Sequence, residues 1–190
     1  MGSPPNAVFV GWDIRNNYMA TAQITPDNDT ILAEVFIAAP PDRVFEAIAD
    51  PKQLTQWWGQ KGTFRVLETA SDLRVGGKWS YEGIGPSGTP FHMEGEYVEV
   101  DRPRLLVQTR RADWVGDFET IVRWELEPRD VHGLHTSGTH KVGTGTLVKV
   151  RHSGFASHAD KIKDHHIGWS ASLEWLQAYI EIGETVDSRS

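Results

Sequence analysis

Apolar and polar positions alternate with a period of two over much of the chain between residues 63 and 153. The alternation falls into successive runs that are separated by Gly, Pro or Asp. These runs are TFRVLET (63–69), GGKWSYEG (76–83), FHMEGEYVEV (91–100), RLLVQTR (104–110), FETIVRWELE (118–127) and GTLVKVRHS (145–153). We predict six consecutive strands of an antiparallel meander, preceded by a strand at TILAEVFIA (30–38).

The alternation divides the side chains of the meander between two faces. One face is rich in aromatic residues and carries Trp79, Tyr81, Phe91, Met93, Tyr97, Phe118, Thr120, Val122, Trp124 and Leu126. The other face carries charges of both signs, at Lys78, Glu82, His92, Glu94, Glu96, Arg123 and Glu125. We therefore expect the aromatic face to be buried and the charged face to contact water.

Helical spacing of apolar residues appears in two longer segments. The first, PPDRVFEAIAD (40–50), has a proline at its start and places Val44, Phe45 and Ile48 on one face. The second, ADKIKDHHIGWSASLEWLQAYIEIG (159–183), carries a seam formed by Ile162, His166, Trp169, Leu173, Leu176 and Ile180. A sheet with one aromatic face needs a cover, and this long amphipathic helix is the natural one.

The segment DPKQLTQWWG (50–59) has the features of a very short helix with two adjacent tryptophans at its end. Asp50 can cap it, Pro51 fits its first position, and a glycine at its end suits a left-handed stop. Leu54, Trp57 and Trp58 are predicted to share one face. Two indoles provide more apolar surface than a helix of two turns needs to anchor it to the domain. They therefore either close an edge of the core or form the wall of a cavity.

This order of elements indicates an α+β fold. We predict a curved antiparallel sheet of about seven strands wrapped on a long C-terminal helix, with two short helices after the first strand. Residues 1–29 are assigned to an extension, 30–183 to one domain and 184–190 to a tail. In the extension, AVFVGWDI (7–14) is a candidate for an extra strand or for self-association as a homodimer. Residues 128–143 form a long polar link, expected to be mobile, between the last two strands.

Composition excludes several classes of function. The chain has 190 residues and a net charge of −7, and its basic residues form no run, so we expect no nucleic-acid partner. It has no cysteine, which excludes disulfides, iron–sulfur clusters and cysteine nucleophiles. No apolar stretch is long enough to span a membrane, and no secretion signal is evident. We expect a soluble cytoplasmic protein without a cofactor.

Several strings resemble the AHSA-type branch of the START-like, or SRPBCC, superfamily, the homologues of the heat-shock chaperone ATPase activator. They are FIAAPPDRVFEAIADPKQLTQWWG (36–59), VGGKWSYEG (75–83), GEYVEVDRPRLLVQT (95–109), GTGTLVKVRHSGF (143–155) and HIGWSASLEWLQAYIE (166–181). The strings occur in the order typical of that family and together span roughly residues 30–183. The resemblance implies the helix-grip fold.

The resemblance also implies a cavity between the long helix and the sheet that takes an apolar or aromatic ligand. Its candidate walls in this chain are Trp57, Trp58, Trp79, Tyr81, Phe91, Met93, Phe118, Val122, Trp124, His166, Trp169 and Leu173. Each of these side chains can instead be ordinary core packing, because large aromatic residues at periodic spacing usually are. Eight tryptophans in 190 residues nevertheless favour a cavity lined with rings.

Two histidine groups are candidates for a metal site and are interpreted instead as exposed or capping residues. His132, His135 and His140 lie in the polar link, whereas His158, His165 and His166 lie around the start of the last helix. Neither group has the spacing of a known metal motif. His166, on the apolar seam, is a candidate to hydrogen-bond a ligand, although a core histidine satisfied by the protein is the simpler interpretation. His152 is interpreted as structural.

No catalytic pair is evident in the sequence. Glu82, Glu94 and Glu96 should face water, unless a bulge at Gly83 or Gly95 turns them inward beside His92 and Arg123. We predict non-catalytic binding of a small apolar or aromatic molecule, with no catalytic residue and no metal. A first alternative is a cyclase-like or aromatase-like enzyme in which Tyr81 or His166 donates a proton. A second alternative, which the family name implies, is a co-chaperone that stimulates a partner ATPase.

Overall fold

The computed structural model describes residues 19–114, 116, 118–131 and 143–189. Two short helices and one long helix accompany nine strands in this part of the chain. The strands are β1 (Thr21–Ile24), β2 (Thr30–Ile37), β3 (Gly59–Gln60), β4 (Phe64–Ser71), β5 (Lys78–Ile84), β6 (Pro90–Asp101), β7 (Leu105–Ala112), β8 (Thr120–Val131) and β9 (Gly143–Ser153). The helices are α1 (Pro41–Ala49), α2 (Pro51–Trp57) and α3 (Ile162–Ile182).

All nine strands form one open antiparallel sheet in the order β1-β2-β9-β8-β7-β6-β5-β4-β3. The predicted meander is confirmed, because β4 to β9 are neighbours in chain order. The sheet has two strands more than the seven predicted, and both are short edge strands. β1 lies at the end of the predicted extension and pairs with β2, while residues 7–14, the candidate extra strand, lie outside the described residues.

The predicted division of the sheet into two faces is confirmed. Trp79, Tyr81, Met93, Val122 and Trp124 are all at most 3% exposed and belong to one apolar core. The core is closed by α3, whose Trp169, Leu173 and Leu176 are at most 3% exposed. The α+β architecture expected from the pattern, and the helix-grip fold that the resemblance implies, are therefore present.

The polar link between the last two strands is shorter than predicted. β8 continues to Val131 and β9 begins at Gly143, so the strands absorb the ends of the predicted link at 128–143. Residues 132–142, including the three histidines of the link, lie outside the described residues.

The C-terminal tail folds back onto the end of α2. The backbone N–H of Val186 donates to the carbonyl of Gln56 at 2.8 Å. Arg189 is 8% exposed and donates from Nη1 to the carbonyls of Gly59 and Trp57 at 2.7 and 3.3 Å. Its Nη2 donates to the carbonyl of Trp175 at 3.4 Å, and its Nε pairs with Glu184 at 2.6 Å. The tail thus stabilises the segment that carries the adjacent tryptophans.

Candidate functional site

A cavity of about 530 Å³ lies between α3 and the inner face of the sheet. Its walls come from the segment after α2, the β5–β6 hairpin, β7 with the loop that follows it, and the first half of α3. Six large apolar side chains dominate these walls: Trp58, Phe64, Phe91, Met93, Trp114 and Trp169. The polar side chains include Arg110, Asp164, His165 and Ser172. The cavity is therefore mainly apolar, with one basic group.

The two adjacent tryptophans have different roles because α2 ends between them. The cap and first turn are as predicted, with the Asp50 side chain accepting from the Lys52 N–H at 2.9 Å. The prediction that Trp58 shares a helical face with Leu54 and Trp57 is wrong, because α2 ends at Trp57 and Trp58 has extended backbone angles. Gly59 has φ +122°, and a Cβ there would approach the Phe64 carbonyl oxygen to 2.3 Å.

The two indoles stack on each other but have different surroundings. Trp57 is fully buried, and its Nε1–H donates to the carbonyl of Ala47 at 2.8 Å. Trp58 stacks on Trp57, with ring centroids 5.3 Å apart, and presents its other side to the cavity. One tryptophan closes the core, and the other forms the wall.

Four of the predicted wall residues lie on the cavity: Trp58, Phe91, Met93 and Trp169. The other predicted residues lie elsewhere in the domain: Trp57, Trp79, Tyr81, Phe118, Val122, Trp124, His166 and Leu173. Several of these support a wall residue from behind. Tyr81 contacts the Trp58 ring at 5.5 Å between centroids, and Trp124 contacts Trp169 at 5.2 Å.

The predicted proton donors of a cyclase-like reaction do not line the cavity. Tyr81 is 3% exposed, and burial raises the pKa of its phenol, which hydrogen-bonds Gln108. The Nε2–H of His166 donates to the carbonyl of Ala22 in β1 at 3.0 Å, so this ring belongs to the contact between α3 and the sheet edge.

The carboxylates of the neighbouring strands face outward, as their parity predicts. The β5–β6 register is regular from Lys78 opposite Glu96 to Ile84 opposite Pro90, so no bulge turns Glu94 or Glu96 inward. His92 hydrogen-bonds Glu82 at 2.7 Å on this outer face. The alternative polar set inside the cavity is therefore wrong.

The histidines near the start of α3 are separately engaged. His158 stacks on Phe118 with centroids 4.1 Å apart, and the Nδ1–H of His165 donates to the carbonyl of Lys161 at 3.0 Å. Within the described ranges, no three histidine or carboxylate side chains are arranged to hold a metal ion.

Arg110 is the cation of the cavity wall, and the sequence did not reveal it. In the β7–β8 register it lies opposite Thr120, just as Gln108 lies opposite Val122 and Leu106 opposite Trp124. Cross-strand partners share a face, so Arg110 points inward. Its Nε is buried without a hydrogen-bond partner, and its Nη2 contacts the sulfur of Met93 at 3.1 Å. Burial lowers the pKa of Arg110 to about 10, so it remains protonated at neutral pH.

A chain of hydrogen bonds connects α3 to the strand that carries Arg110. The indole Nε1–H of Trp169 donates to Nδ1 of His152 at 2.9 Å. Because Nδ1 accepts, the neutral ring carries its proton on Nε2 and donates to Thr120 Oγ1 at 2.8 Å. Thr120 Oγ1 in turn donates to the Arg110 carbonyl at 3.2 Å. The structural role predicted for His152 thus takes the form of a bridge between helix and sheet.

Both histidines near Arg110 are held neutral. Burial, and then the charge of Arg110, lower the pKa of His165 to about 4. Burial and the same guanidinium also hold the pKa of His152 well below its usual range, with a smaller contribution from His165. The cavity can therefore enclose an apolar body, position it between aromatic rings and present one cation to it.

Solved structures with the same architecture share a modest fraction of the sequence. The protein CV1439 from Chromobacterium violaceum is 27% identical, with a TM-score of 0.62, and the match covers 80% of this chain and 97% of that one. A protein from Rhodobacter sphaeroides is 20% identical, with a TM-score of 0.66, and the match covers 86% and 99% of the two chains.

A third similar structure is DynU16, described as a putative protein in the dynemicin biosynthetic locus. It is 22% identical with a TM-score of 0.61, and the match covers 85% of this chain but 50% of DynU16. None of the curated proteins compared with the chain matches it. No helix in the described residues is long and apolar enough to cross a membrane.

A family model gives the most direct relationship. The model described as activator of Hsp90 ATPase homolog 1-like protein matches residues 38–181, from the end of β2 to the last turn of α3. The matched region includes the residues named above as lining the cavity. This chain therefore belongs to the activator of Hsp90 ATPase homolog 1-like family.

Proposed function

We propose that the protein binds a small apolar or aromatic molecule in the cavity between the sheet and α3. The observation that carries this proposal is the cavity itself, with a volume of about 530 Å³ and six large apolar side chains in its walls. Sites for small molecules typically measure about 300–1,000 Å³ and combine apolar walls with few polar groups.

Burial of apolar surface is the driving force for such binding, at about 25 cal/mol per Å² removed from water. The rings are already held in place by the residues behind them, since Trp58 packs on Trp57 and Trp169 packs on Trp124. Binding therefore needs little ordering of side chains, which lowers its entropic cost.

The mouth of the cavity includes an aromatic ring exposed to solvent. Trp114, in the loop after β7, is 51% exposed and contacts Phe91 edge-on, with centroids 5.2 Å apart. A large apolar side chain at such a position supports contact with a ligand at the rim. The location of the similar DynU16 in a biosynthetic locus also supports a ligand of small-molecule size.

Titration with the neutral fluorophore N-phenyl-1-naphthylamine tests the proposal. We expect saturable binding with enhanced fluorescence, weakened at least tenfold by Trp58→Ala because one wall of the cavity is removed. Ser172→Phe places a ring into the cavity and should abolish binding without removing a wall. Leu67→Ala, on an exposed residue of β4, is the matched control. Circular dichroism checks that each variant is folded, and equal affinity in Trp58→Ala, Ser172→Phe and the wild type would overturn the assignment.

A further inference from the structure

We infer that the molecule bound in this cavity carries a carboxylate that pairs with Arg110. This inference rests on the proposed function, to which it adds a chemical class: an apolar or aromatic acid rather than a neutral lipid or hydrocarbon.

The first observation concerns the ion pairs of Arg110 and its neighbour Arg111. Among the residues that the structure describes, no carboxylate forms an ion pair with its guanidinium, whereas the adjacent Arg111 points to the other face and pairs with Glu119 at 3.0 Å. Within the part of the chain that the structure describes, the side-chain atom in hydrogen-bonding range of the Arg110 guanidinium is the sulfur of Met93, which is a weak acceptor.

The second observation is that the other titratable groups of the cavity wall do not neutralise Arg110. Asp164 lies in the exposed first turn of α3 and is not within ion-pair distance of the guanidinium. His165 is neutral near pH 7 and cannot supply a negative charge. Among the described residues, Arg110 is therefore a cation of the cavity wall that no carboxylate pairs with, although the exposed Asp164 lies on the same wall.

An unpaired cation among apolar walls favours a ligand that carries an acidic group. A cation removed from water is costly unless it is paired, and the pairing is stronger in an apolar enclosure than at a surface. The planar guanidinium matches a carboxylate through two parallel N–H···O bonds. Apolar rings and a lone guanidinium together fit a molecule with an apolar body and one acidic group.

The backbone of Arg110 is held by a chain of hydrogen bonds that reaches α3. Its carbonyl accepts from Thr120, which is held by His152 and, through it, by Trp169 of α3. Trp169 lines the same cavity. A single hydrogen-bond chain thus fixes the distance between β7, which carries Arg110, and the Trp169 ring. An acid with a rigid ring system therefore has a defined place to bind.

Calorimetric titration at pH 7.5 with 2-naphthoate and its neutral counterpart 2-naphthamide tests the inference. For the wild type we expect the acid to bind at least tenfold more tightly than the amide. Arg110→Gln should remove this preference, and Arg110→Lys, which keeps the charge without the planar fork, should reduce it. Arg111→Gln is the matched control and should keep the wild-type preference.

The outcomes separate this inference from the proposed function. If N-phenyl-1-naphthylamine and both naphthalenes bind but acid and amide bind equally, the carboxylate assignment is overturned and the apolar cavity remains. The same holds if Arg110→Gln and Arg111→Gln reduce the preference equally. If none of the three compounds binds, both proposals fail. A preference for the acid that only Arg110 variants lose supports the inference, provided that their circular dichroism spectra match the wild type.

Discussion

Arg189 and Arg110 both bring a guanidinium into the interior of the domain, and their surroundings are opposite. Arg189 donates to three backbone carbonyls, pairs with Glu184 and lies over the Trp175 ring at 5.4 Å. Arg110 has a buried Nε without a partner and contacts the sulfur of Met93. The guanidinium makes hydrogen bonds from all three nitrogens at one site, whereas at the other its contact is with a weak sulfur acceptor.

The difference separates a residue that maintains the fold from one that is available for binding. Removing a buried charge that is hydrogen-bonded through all its nitrogens is costly, because the groups that it paired with lose their donor. A buried charge without partners is a cost to the folded domain. The contrast predicts that the two arginines respond to mutation in opposite directions.

The largest expected effect is the loss of stability in Arg189→Met. This change leaves the carbonyls of Trp57, Gly59 and Trp175 without their donor, so the free energy of unfolding should fall by about 3 kcal/mol. Urea denaturation measures it. Arg65→Met breaks an exposed ion pair with Asp187, at 2.6 Å, and should cost less than about 1 kcal/mol. Equal losses in the two variants would show that the tail is not held by Arg189.

Acid pH should destabilise the domain through His152, whose hydrogen bond to Thr120 holds the strand that carries Arg110. Because the folded pKa of His152 lies well below 6.5, the unfolded chain binds a proton there that the folded domain does not. The free energy of unfolding should therefore decrease as the pH falls below about 6.5, by up to about 1.4 kcal/mol per pH unit from this group.

Denaturation curves at several pH values between 7.5 and 5 check this slope. His152→Gln should have a shallower pH dependence than the wild type, since it removes the titrating ring and retains a donor and an acceptor. Arg189→Met should lower stability at every pH without changing the slope. A wild-type slope in His152→Gln would mean that the acid sensitivity comes from other groups.

Replacing Arg110, in contrast to Arg189, should change the stability of the domain little. Arg110→Met removes an unpaired cation and keeps an unbranched apolar side chain, so the free energy of unfolding should stay constant or rise by about 1 kcal/mol. Thermal unfolding without ligand measures it. The result would be contradicted by a loss comparable to that of Arg189→Met, which would mean that Arg110 makes a stabilising contact in the empty domain.

Much of the fold could be predicted because periodicity alone determines it. Alternation assigned Trp79, Tyr81 and Met93 to the buried face, and the seam placed Trp169 and Leu173 against the sheet, as the structure confirms. These assignments depend only on the spacing of apolar residues within one element.

The unexpected features of the site depend on contacts between elements. Arg110 was missed because β7 begins with consecutive apolar residues at 105–107, so alternation does not fix its faces and only the register with β8 does. The different roles of Trp57 and Trp58 depend on where α2 ends. Gly59 and its close approach to β4 determine that end. The role of Arg189 depends on a tail folding across 130 residues of sequence to reach Gly59.

The hydrogen-bond bridge from Trp169 through His152 to Thr120 affects how a ligand enters the cavity. Each link is a directional hydrogen bond inside the core, and His152 itself is fully buried. α3 cannot move away from β8 and β9 without breaking the bridge and exposing unpaired polar atoms. We therefore expect the gap between α3 and the sheet to keep a constant width. Ligands would then be selected by their thickness and would enter at the rim beside Trp114.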